Sequence, residues 1–526
     1  MPGAKERLAD KLRGTIRGEV VSDPGALRRY ARDQSLYEVV PRVAALPEDR
    51  EDVQRLIEFA SREGIPLTPR GGGSGTAGAA LGSGIVVALP RSEAWSGIGE
   101  LTIEGGRAGI RVGAAVSHNA LQQQLKGQGY FLPADVSSAD ISCIGGNIAT
   151  KASGPHALRY GSIDRFVTSL EFVTAQGEVV NTADARTIPE RFRTSIAELE
   201  SRLAADAPAR ERLAARRLKT ASGYNLFAFL DPLSPGRRLA RLLCGSVGTL
   251  GLVTGATLQV ELFEQDRAAV LLYFDDLTEA GRAVLALRDL DVSAIELISR
   301  ETVQVLKEKT DVPAGLAVDA HLLLVELAGS GFQEGIRNIK TLLQTGGFRL
   351  ARPPAVARNE AEIERLWALR KQILWLIRHP QPHLRALSVV NDVGVPPEKL
   401  ASFVQGVQQV FADRKMIALI YGHAGNGNLH LRPLFDLTLP DLPGRIRELA
   451  EAVYELVLKH HGTVTAEHGM GPLRAPFLRR EWGGPLYDYM REVKRIFDPD
   501  DLLNPGAMFN QRPITDNIRQ DLLAGP

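Results

Sequence analysis

The sequence predicts an α+β fold with more than one domain. The chain has 526 residues, which exceeds the size at which one hydrophobic core usually stops growing. Short apolar runs alternate with stretches of helical periodicity along most of the chain, which is typical of mixed α+β domains. We expect a boundary near Phe263, with domains at 1–262 and 263–475 and a C-terminal helical segment at 476–526 that returns to the first domain.

Composition and charge exclude several classes of protein. The 63 basic and 62 acidic residues leave a formal net charge of +1, so the strong basic surface typical of nucleic-acid-binding proteins is not expected. Cys143 and Cys244 have no CxxC spacing and predict neither a disulfide framework nor an internal iron–sulfur site. The sequence shows no signal peptide and no apolar run of about eighteen residues. We therefore expect a cytoplasmic protein without a transmembrane segment or nucleic-acid partner.

The first domain begins with a well-defined helix. In EDVQRLIEFASREG, apolar residues recur at helical spacing from Val53 to Ala60, and Gly64 is expected to end the helix. IPLTP and GIVVALP, on either side of a glycine-rich loop, predict two short strands. Further strands are expected in GRAGIRVGAAV, VTSLEFVTAQGEVV and LGLVTGATLQV, with a helical insertion in AELESRLAADAPARERLAARRLK.

The second domain is predicted from units in which a strand precedes an amphipathic helix. AAVLLYFDDLTEAGRAVLALRDL and HLLLVELAGSGFQEGIRNIKTLLQTGG both have this form. RIRELAEAVYELVLKHHG predicts a helix with one apolar face, and LYDYMREVKRIF predicts another helix that ends before Pro499. The final stretch, NQRPITDNIRQDLLAGP, is polar and is expected to be peripheral.

The glycine-rich loop predicts an anion-binding backbone. GSGTAG matches the GxGxxG pattern of dinucleotide-binding folds, but a strand begins at Ile85 and leaves no room for the helix that this motif requires. No Gly-Lys-Ser/Thr follows, which excludes a P-loop. The bare amides of residues 71–75 could instead approach a diphosphate closely, with Arg70 adding positive charge. Composition alone leaves an ordinary flexible turn as an equal alternative.

Several separated motifs carry a resemblance to one flavoprotein family. LPADVSSADISCIGGNIATKASGPHALRYGS and CGSVGTLGLVTGA combine small residues, hydroxyls and paired glycines, as expected where backbone lies against a large flat ligand. Together with TPRGGGSGTAG and KTASGYNL, and with all four motifs in the family's order along the chain, they resemble FAD-linked oxidases of the vanillyl-alcohol-oxidase/p-cresol-methylhydroxylase type. The similarity lies in the branch of D-lactate dehydrogenases and the glycolate oxidase FAD subunit and spans about Tyr30 to Phe509. One departure is Val247: the chain reads Gly-Ser-Val-Gly where the family motif commonly reads Gly-Ser-Glu-Gly.

The resemblance implies a two-lobed FAD-binding domain at 1–262 and an α+β substrate (cap) domain at 263–475 that carries a metal site. In that family the glycine loop holds the FAD pyrophosphate, and the later motifs line the adenine and the isoalloxazine. Carried over, the expected FAD contacts are Arg70, Gly71, Gly72, Gly73, Ser74, Gly75, Thr76, Pro133, Asp135, Ser138, Gly145, Gly146, Ile148, Ala149, Ser153, Gly154, Tyr160, Gly161 and Val253.

The segment YGHAGNGNLHL brings two histidines together. If Asn426 and Gly427 form a two-residue hairpin turn, as this dipeptide favours, His423 and His430 become cross-strand neighbours with Cβ atoms about 4.5–5.5 Å apart. They could then share a metal ion, and Glu467 in TVTAEHGMG would complete a three-ligand site with open positions, as in catalytic zinc centres. Ordinary hydrogen-bonded histidines are an equal alternative on the spacing alone.

Both histidine motifs closely resemble the metal-binding and active-site motifs of the same branch. The resemblance implies a divalent cation, zinc or manganese, bound by His423, His430 and Glu467. It also implies an active site that includes His468, Arg370 and Asn428.

These residues predict the oxidation of a 2-hydroxy acid. A chelating metal would lower the pKa of the substrate hydroxyl, His468 would remove its proton, and flavin N5 would take the hydride from C2 to leave a 2-oxo acid. The Arg370 guanidinium would bind the substrate carboxylate through two parallel hydrogen bonds. Relatives acting on D-2-hydroxyglutarate have a threonine and a lysine where this chain has Leu374 and Val390, which favours D-lactate or another monocarboxylate.

Reoxidation of the flavin needs an outside acceptor, because the sequence contains no haem or iron–sulfur motif. RPITDNIRQ resembles the segment that joins a flavin half to an iron–sulfur half in long relatives. We expect an iron–sulfur subunit, a quinone or an electron-transferring flavoprotein as acceptor, with peripheral membrane attachment through that partner, and a homodimer is also among the expected assemblies. Alternatives are a D-2-hydroxyglutarate or glycolate dehydrogenase subunit of an iron–sulfur complex, a zinc hydrolase, and a non-catalytic flavin-binding subunit.

Overall fold

The described chain folds into three β-sheets with helices packed against them. A computed structural model describes residues 4–216, 218–309, 319–378 and 383–524. Helices and strands alternate along it, and the α+β class is confirmed. Within these residues, no helix is both long enough and apolar enough to cross a bilayer.

Two of the sheets are built from strands that precede Phe263 in the sequence. The strands are β1 (Glu19–Val21), β2 (Val43–Leu46), β3 (Leu67–Arg70), β4 (Ile85–Ala88), β5 (Ile98–Glu104), β6 (Arg107–Gly113), β7 (Tyr130–Phe131), β8 (Val167–Val173), β9 (Val179–Asn181) and β10 (Leu252–Leu262). The helices are α1 (Ala4–Arg13), α2 (Pro24–Ala31), α3 (Arg50–Glu63), α4 (Glu93–Ser96), α5 (His118–Lys126), α6 (Ile144–Thr150), α7 (Ala157–Tyr160), α8 (Glu190–Ala205), α9 (Ala207–Ala215) and α10 (Pro235–Leu243).

The first sheet has the order β1-β2-β4-β3, in which β4 pairs parallel with both β2 and β3. The second is antiparallel, with the order β5-β6-β10-β8-β9 and β7 also on β10. Helix α3 ends at Gly64, which has φ 62°, as predicted, and the side chain of Asp49 caps its N-terminus. No helix lies between β3 and β4, so the glycine-rich connection is not a Rossmann turn.

The third sheet is antiparallel and begins after Phe263. Its order is β14-β11-β13-β12-β17-β18-β15, with β16 also on β18. The strands are β11 (Arg267–Phe274), β12 (Ala294–Ile298), β13 (His321–Ala328), β14 (Arg352–Ala357), β15 (Leu384–Ala386), β16 (Val393–Gly394), β17 (Ala418–Gly422) and β18 (Asn428–Asp436). The helices are α11 (Leu277–Leu287), α12 (Arg300–Lys309), α13 (Phe332–Thr345), α14 (Glu360–Arg378), α15 (Leu400–Asp413), α16 (Leu442–Lys459), α17 (Leu478–Trp482), α18 (Gly484–Phe497) and α19 (Gln520–Leu523).

The C-terminal residues pack back onto earlier parts of the chain. The Phe497 ring of α18 stacks on Phe192 of α8 with centroids 4.7 Å apart. Farther on, Ile514, Ile518 and Leu522 are buried in the core that continues into the third sheet. The expectation that the polar tail is peripheral is therefore wrong, because these three residues, four positions apart in sequence, are buried in the core.

Candidate active site and cation-binding cluster

The connection between β17 and β18 differs from the predicted two-residue turn. The strand register pairs Tyr421 with His430. A short 3-10 turn fills the connection, and Gly427 has φ 66° whereas Asn426 lacks the positive φ that a type I′ turn requires at both central positions. The predicted cross-strand pairing of His423 with His430 is therefore wrong.

The two imidazoles nevertheless meet, and Glu467 joins them. The Nε2 atoms of His423 and His430 lie 3.4 Å apart. Glu467 Oε2 is 3.3 Å from His423 Nε2, and Glu467 Oε1 is 3.4 Å from His430 Nε2. A tetrahedron with ligands about 2.0–2.1 Å from its centre has edges of about 3.3 Å. The three predicted ligands therefore fit a cation of zinc size, although they come from a loop, a strand and a distant turn.

The protonation of this cluster is set by burial and by neighbouring charge. Burial alone would raise the pKa of Glu467, but the Lys219 ammonium and His423 hold it well below its usual range. Burial, reinforced by His423, lowers the pKa of His430 well below its usual value, so this ring is neutral at pH 7, the form that can bind a metal ion. Burial would likewise lower the pKa of His423, but Glu296 and Glu467 raise it above the usual value. A metal ion would have to displace that proton.

Lys219 is a member of the site that the sequence analysis missed. Its Nζ lies 2.6 Å from Glu467 Oε2 and 3.0 Å from Asn428 Oδ1. The side chain is almost fully buried, so its charge is not screened by solvent. A lysine at the start of KTASGYNL was visible in the sequence, but no spacing related it to a glutamate 248 residues away.

Asp392 organises the turn that carries Glu467 and His468. Its Oδ2 accepts hydrogen bonds from Thr465 Oγ1 (2.6 Å) and from the backbone amides of Glu467 (3.0 Å) and His468 (2.7 Å). Its Oδ1 accepts one from Asn428 Nδ2 at 3.0 Å. Ligand atoms of Asp392, His430, Glu467 and His468 lie within 4.8 Å of one another. Because internal donors already occupy Asp392, we assign it to the support of the site and not to the ligand set.

Glu296 joins the histidine cluster to the predicted carboxylate-binding arginine. One carboxylate oxygen lies 2.6 Å from His423 Nδ1, and the other accepts a hydrogen bond from Arg370 Nε at 2.9 Å. The Arg370 guanidinium stacks 4.4 Å over the ring of Tyr421, and its Nη1 is buried with no hydrogen-bond partner among the described residues. Arg370 therefore keeps a free donor for an anionic ligand. The side chain of Leu374 on the same helix lies outside the described residues, and Val390 is buried in the core.

His468 lies where the cation cluster meets the glycine-rich loop. Its Nε2 is 3.4 Å from Glu467 Oε1, and its ring stacks on His430 with centroids 5.3 Å apart. On the other side, its Nδ1 is 3.1 Å from Asn391 Nδ2 and 3.4 Å from Thr76 Oγ1. One imidazole thus contacts a predicted metal ligand and a predicted FAD contact.

The predicted FAD segments pack against each other through their glycines. A Cβ atom on Gly72 would lie 1.8 Å from Ile141 O, and one on Gly71 would lie 3.3 Å from Gly146 Cα. A Cβ on Gly154 would lie 1.8 Å from Asp135 O. Close contact between backbone segments thus requires these glycines. Ser142 Oγ and Ser153 Oγ in the same segments are buried without a hydrogen-bond partner among the described residues, as expected for groups that face a polar ligand.

The remaining predicted FAD contacts surround the same segments. Arg70 differs from the expectation that its charge faces a diphosphate, because its guanidinium donates to the backbone carbonyls of Arg29, Arg32 and Ala80. The others lie in the glycine loop (Gly73, Ser74, Gly75), in the loop before α6 (Pro133, Ser138), on α6 (Gly145, Ile148, Ala149), at the end of α7 (Tyr160, Gly161) and on β10 (Val253).

We call the segments that carry the predicted FAD contacts the FAD cradle. Val247, the departure from the family pattern, has a strained backbone conformation next to these segments. It has φ 48°, which is unfavourable for a β-branched residue. Its backbone amide donates to Ala149 O at 2.8 Å, and its carbonyl accepts from Asn504 Nδ2 at 2.7 Å. Its side chain approaches Gly469, next to His468. These contacts hold the backbone in a conformation that glycine would adopt without strain.

Two family models match the chain at its two halves. Residues 41–183 match a FAD binding domain, and residues 264–508 match the C-terminal domain of FAD linked oxidases. The chain belongs to the FAD-linked oxidases. Both matches lie within the span on which the sequence resemblance rested, and that resemblance is confirmed.

Several curated relatives are similar to this FAD-linked oxidase over most of its length. The chain is 28% identical to the D-2-hydroxyglutarate dehydrogenase of Escherichia coli (strain K12), over 90% of the chain and 49% of that protein. It is 26% identical to the D-lactate dehydrogenase of Archaeoglobus fulgidus, over 91% of the chain and 95% of that protein. The chain spans about half the length of several curated relatives that it matches. A solved alkyldihydroxyacetonephosphate synthase superposes with a TM-score of 0.64 at 16% identity, covering 96% of this chain and 86% of that one, which shows the shared fold.

Proposed function

We propose that the protein is an FAD-dependent, divalent-metal-assisted dehydrogenase that oxidises a D-2-hydroxy acid, with D-lactate as the preferred substrate, to the 2-oxo acid. The observation that carries this proposal is the position of His468, which lies 3.4 Å from both Glu467 Oε1 and Thr76 Oγ1. These distances support a role for His468 as the base that would take the proton of the cation-bound hydroxyl, next to the loop expected to hold the flavin.

The residues present fit both absent groups. The glycine segments and their unpartnered serine hydroxyls would hold FAD, and His423, His430 and Glu467 would hold a zinc or manganese ion. When bound, FAD accepts a hydride equivalent and the cation polarises the substrate hydroxyl. The tetrahedral spacing of the three ligands favours zinc over manganese.

The protein's own residues would then position the substrate and move its proton. Arg370 Nη1, buried and unpartnered among the described residues, would donate to the substrate carboxylate. His468 would accept the hydroxyl proton at Nε2, the ring nitrogen that faces Glu467. Lys219 would hold the Glu467 carboxylate in place, and Asn428 accepts a hydrogen bond from Lys219 and donates one to Asp392.

The proposed substrate and acceptor both rest on the sequence resemblance. The apolar residues at the positions of Leu374 and Val390 would leave a second carboxylate poorly paired, which supports D-lactate over D-2-hydroxyglutarate. Electrons would pass to a non-NAD acceptor such as an iron–sulfur subunit, a quinone or an electron-transferring flavoprotein. The protein would work in the cytoplasm or at the membrane surface through that partner.

An anaerobic bleaching experiment tests this function. The flavin absorbance of the purified protein with bound FAD, at about 450 nm, should disappear on addition of D-lactate but not of L-lactate. A chelator should slow this bleaching. Faster bleaching with D-2-hydroxyglutarate or glycolate would show that this acid, and not D-lactate, is the preferred substrate. Bound FAD that no 2-hydroxy acid bleaches would indicate a non-catalytic subunit, and a colourless protein would favour a zinc hydrolase.

A further inference from the structure

We infer that Glu296 is a positioning residue that holds the metal ligand His423 and the substrate-binding Arg370 in a fixed relation to each other. The inference rests on the metal site of the proposed function and adds a residue to it. Glu296 is fully buried on β12, in the apolar strand sequence AIELI. Burying a carboxylate costs free energy unless charged or hydrogen-bonding partners surround it, so a glutamate inside this apolar strand indicates such partners.

The first consequence concerns the tautomer of His423. Glu296 Oε1 lies 2.6 Å from His423 Nδ1, and an ionised carboxylate can only accept a hydrogen bond. Nδ1 therefore carries the hydrogen, and the lone pair on Nε2 is directed at His430 and Glu467 once the second proton has left. Carboxylate partners of this kind orient metal-binding histidines in many sites.

The second consequence concerns the direction of Arg370. Its Nε donates to Glu296 Oε2 at 2.9 Å, and its guanidinium lies 4.4 Å over the ring of Tyr421. These two contacts fix the plane of the guanidinium and leave Nη1 without a partner among the described residues. Tyr421 in turn packs on His430, with ring centroids 5.1 Å apart. The substrate-binding and metal-binding groups thus share one set of contacts.

Only a carboxylate can satisfy both donors at once. Glutamine offers one acceptor oxygen, and its amide nitrogen would face either Arg370 Nε or His423 Nδ1. If the amide faced His423, Nδ1 would become the acceptor and Nε2 would carry the hydrogen, which prevents metal binding. We therefore expect Glu296→Gln to weaken the metal site and removal of the arginine donor to relieve part of the loss.

The adjacent strand offers a matched control. Glu326 on β13 is also buried, and it also bonds a histidine and a side chain of α14: its oxygens lie 2.8 Å from His156 Nε2 and 2.8 Å from Trp367 Nε1. It does not contact the cation cluster. Glu326→Gln therefore reports the general effect of removing a buried carboxylate from this sheet.

The test is a zinc titration of metal-stripped protein, with a chromophoric chelator as competitor. Glu296→Gln should bind zinc about 10–100-fold more weakly than the wild type, which is typical for loss of such a partner. The double variant Glu296→Gln/Arg370→Met should recover part of this affinity, and Glu326→Gln should bind zinc like the wild type.

Unchanged zinc affinity in Glu296→Gln would overturn the inference, and so would an equal loss in Glu326→Gln. If Glu296→Gln does not fold, Glu296→Ala/Arg370→Met is compared with Arg370→Met, and equal affinities would overturn it. A wild-type protein that binds no zinc in the same titration would overturn this inference and the metal part of the proposed function together. A zinc-binding wild type with an unaffected Glu296→Gln would leave the proposed function intact.

Discussion

Replacing Asp392 with asparagine tests how one buried carboxylate shapes the candidate active site. Asp392 is fully buried and has φ 71°, a left-handed conformation that asparagine also tolerates. Asp392→Asn therefore removes the charge and one acceptor without adding backbone strain. The amides of Glu467 and His468 are the donors whose positions should change.

The magnitude follows from the four hydrogen bonds that Asp392 accepts. With its oxygen placed towards Thr465, Glu467 and His468, an asparagine would keep three bonds, each weaker by about 1 kcal/mol without the charge, and would lose the fourth, worth about 2 kcal/mol. The smaller desolvation cost of a neutral amide offsets part of this, so we expect a net loss of about 3 kcal/mol. The displaced turn should also weaken zinc binding at least about tenfold.

Thermal unfolding and zinc titration measure the two effects separately. A loss of about 3 kcal/mol should lower the unfolding midpoint by roughly 6–12 °C for a domain of ordinary size. The matched control is Asp52→Asn, because Asp52 is also fully buried and accepts from the backbone amides of Arg17, Gly18 and Glu48. The control should lose stability and keep its zinc affinity. Asp392→Asn with wild-type zinc affinity would refute the proposed support of the site.

Two further substitutions test the FAD cradle and the contact between the predicted domains. Gly72→Ala would place a Cβ atom 1.8 Å from Ile141 O, so we expect the purified protein to lose most of its bound FAD, measured by flavin absorbance, whereas Gly331→Ala, whose Cβ meets open space, should retain it. Burial alone would lower the pKa of His156, but Asp135 and Glu326 hold it well above its usual value, so its stabilising charge is fully present below about pH 6.5 and is lost as the pH rises through the folded-state pKa. The stability difference between the wild type and His156→Gln should therefore be largest near pH 6 and shrink at higher pH, and a difference that grows with pH would contradict this assignment.

Local sequence patterns predicted the helices and strands better than the connections between them. Periodicity and capping located α3, because its stop at Gly64 depends only on nearby residues. The turn after His423 was mispredicted because distant residues shape it. A Cβ on Gly427 would meet Val395 O at 2.0 Å, and one on Gly425 would meet the Leu158 side chain at 2.7 Å. The preference of an Asn-Gly pair for a hairpin turn carries no information about such neighbours.

The supporting residues were missed for a related reason. Lys219 lies 248 residues along the chain from its partner Glu467, and Glu296 lies 127 residues from its partner His423. Asp392 lies 75 residues from Glu467, whose amide it binds. A signal for Glu296 was nevertheless present, because a glutamate interrupts an apolar strand in AIELI, and HLLLVELA contains Glu326 in the same way. A charged residue in the middle of a buried strand indicates a paired partner, although the sequence does not name it.

The two glutamates, Glu296 and Glu326, also connect the predicted metal site with the predicted FAD cradle. Glu326 lies opposite Ala294 on the adjacent strand, two residues from Glu296 and on the same face of the sheet. Their partners on α14, Trp367 and Arg370, are three residues apart and so share one face of that helix.

His156 extends this arrangement into the first half of the chain. Its Nε2 lies 2.8 Å from Glu326, and its Nδ1 lies 2.6 Å from Asp135, one of the expected FAD contacts. Helix α14 therefore contacts the predicted metal ligand His423 through Glu296, and it contacts the predicted FAD cradle through Glu326 and His156. In the proposed reaction, hydride transfer would need the substrate carbon to be held close to the flavin. A helix fixed at both predicted sites would therefore position the substrate more reliably than a helix fixed at one of them.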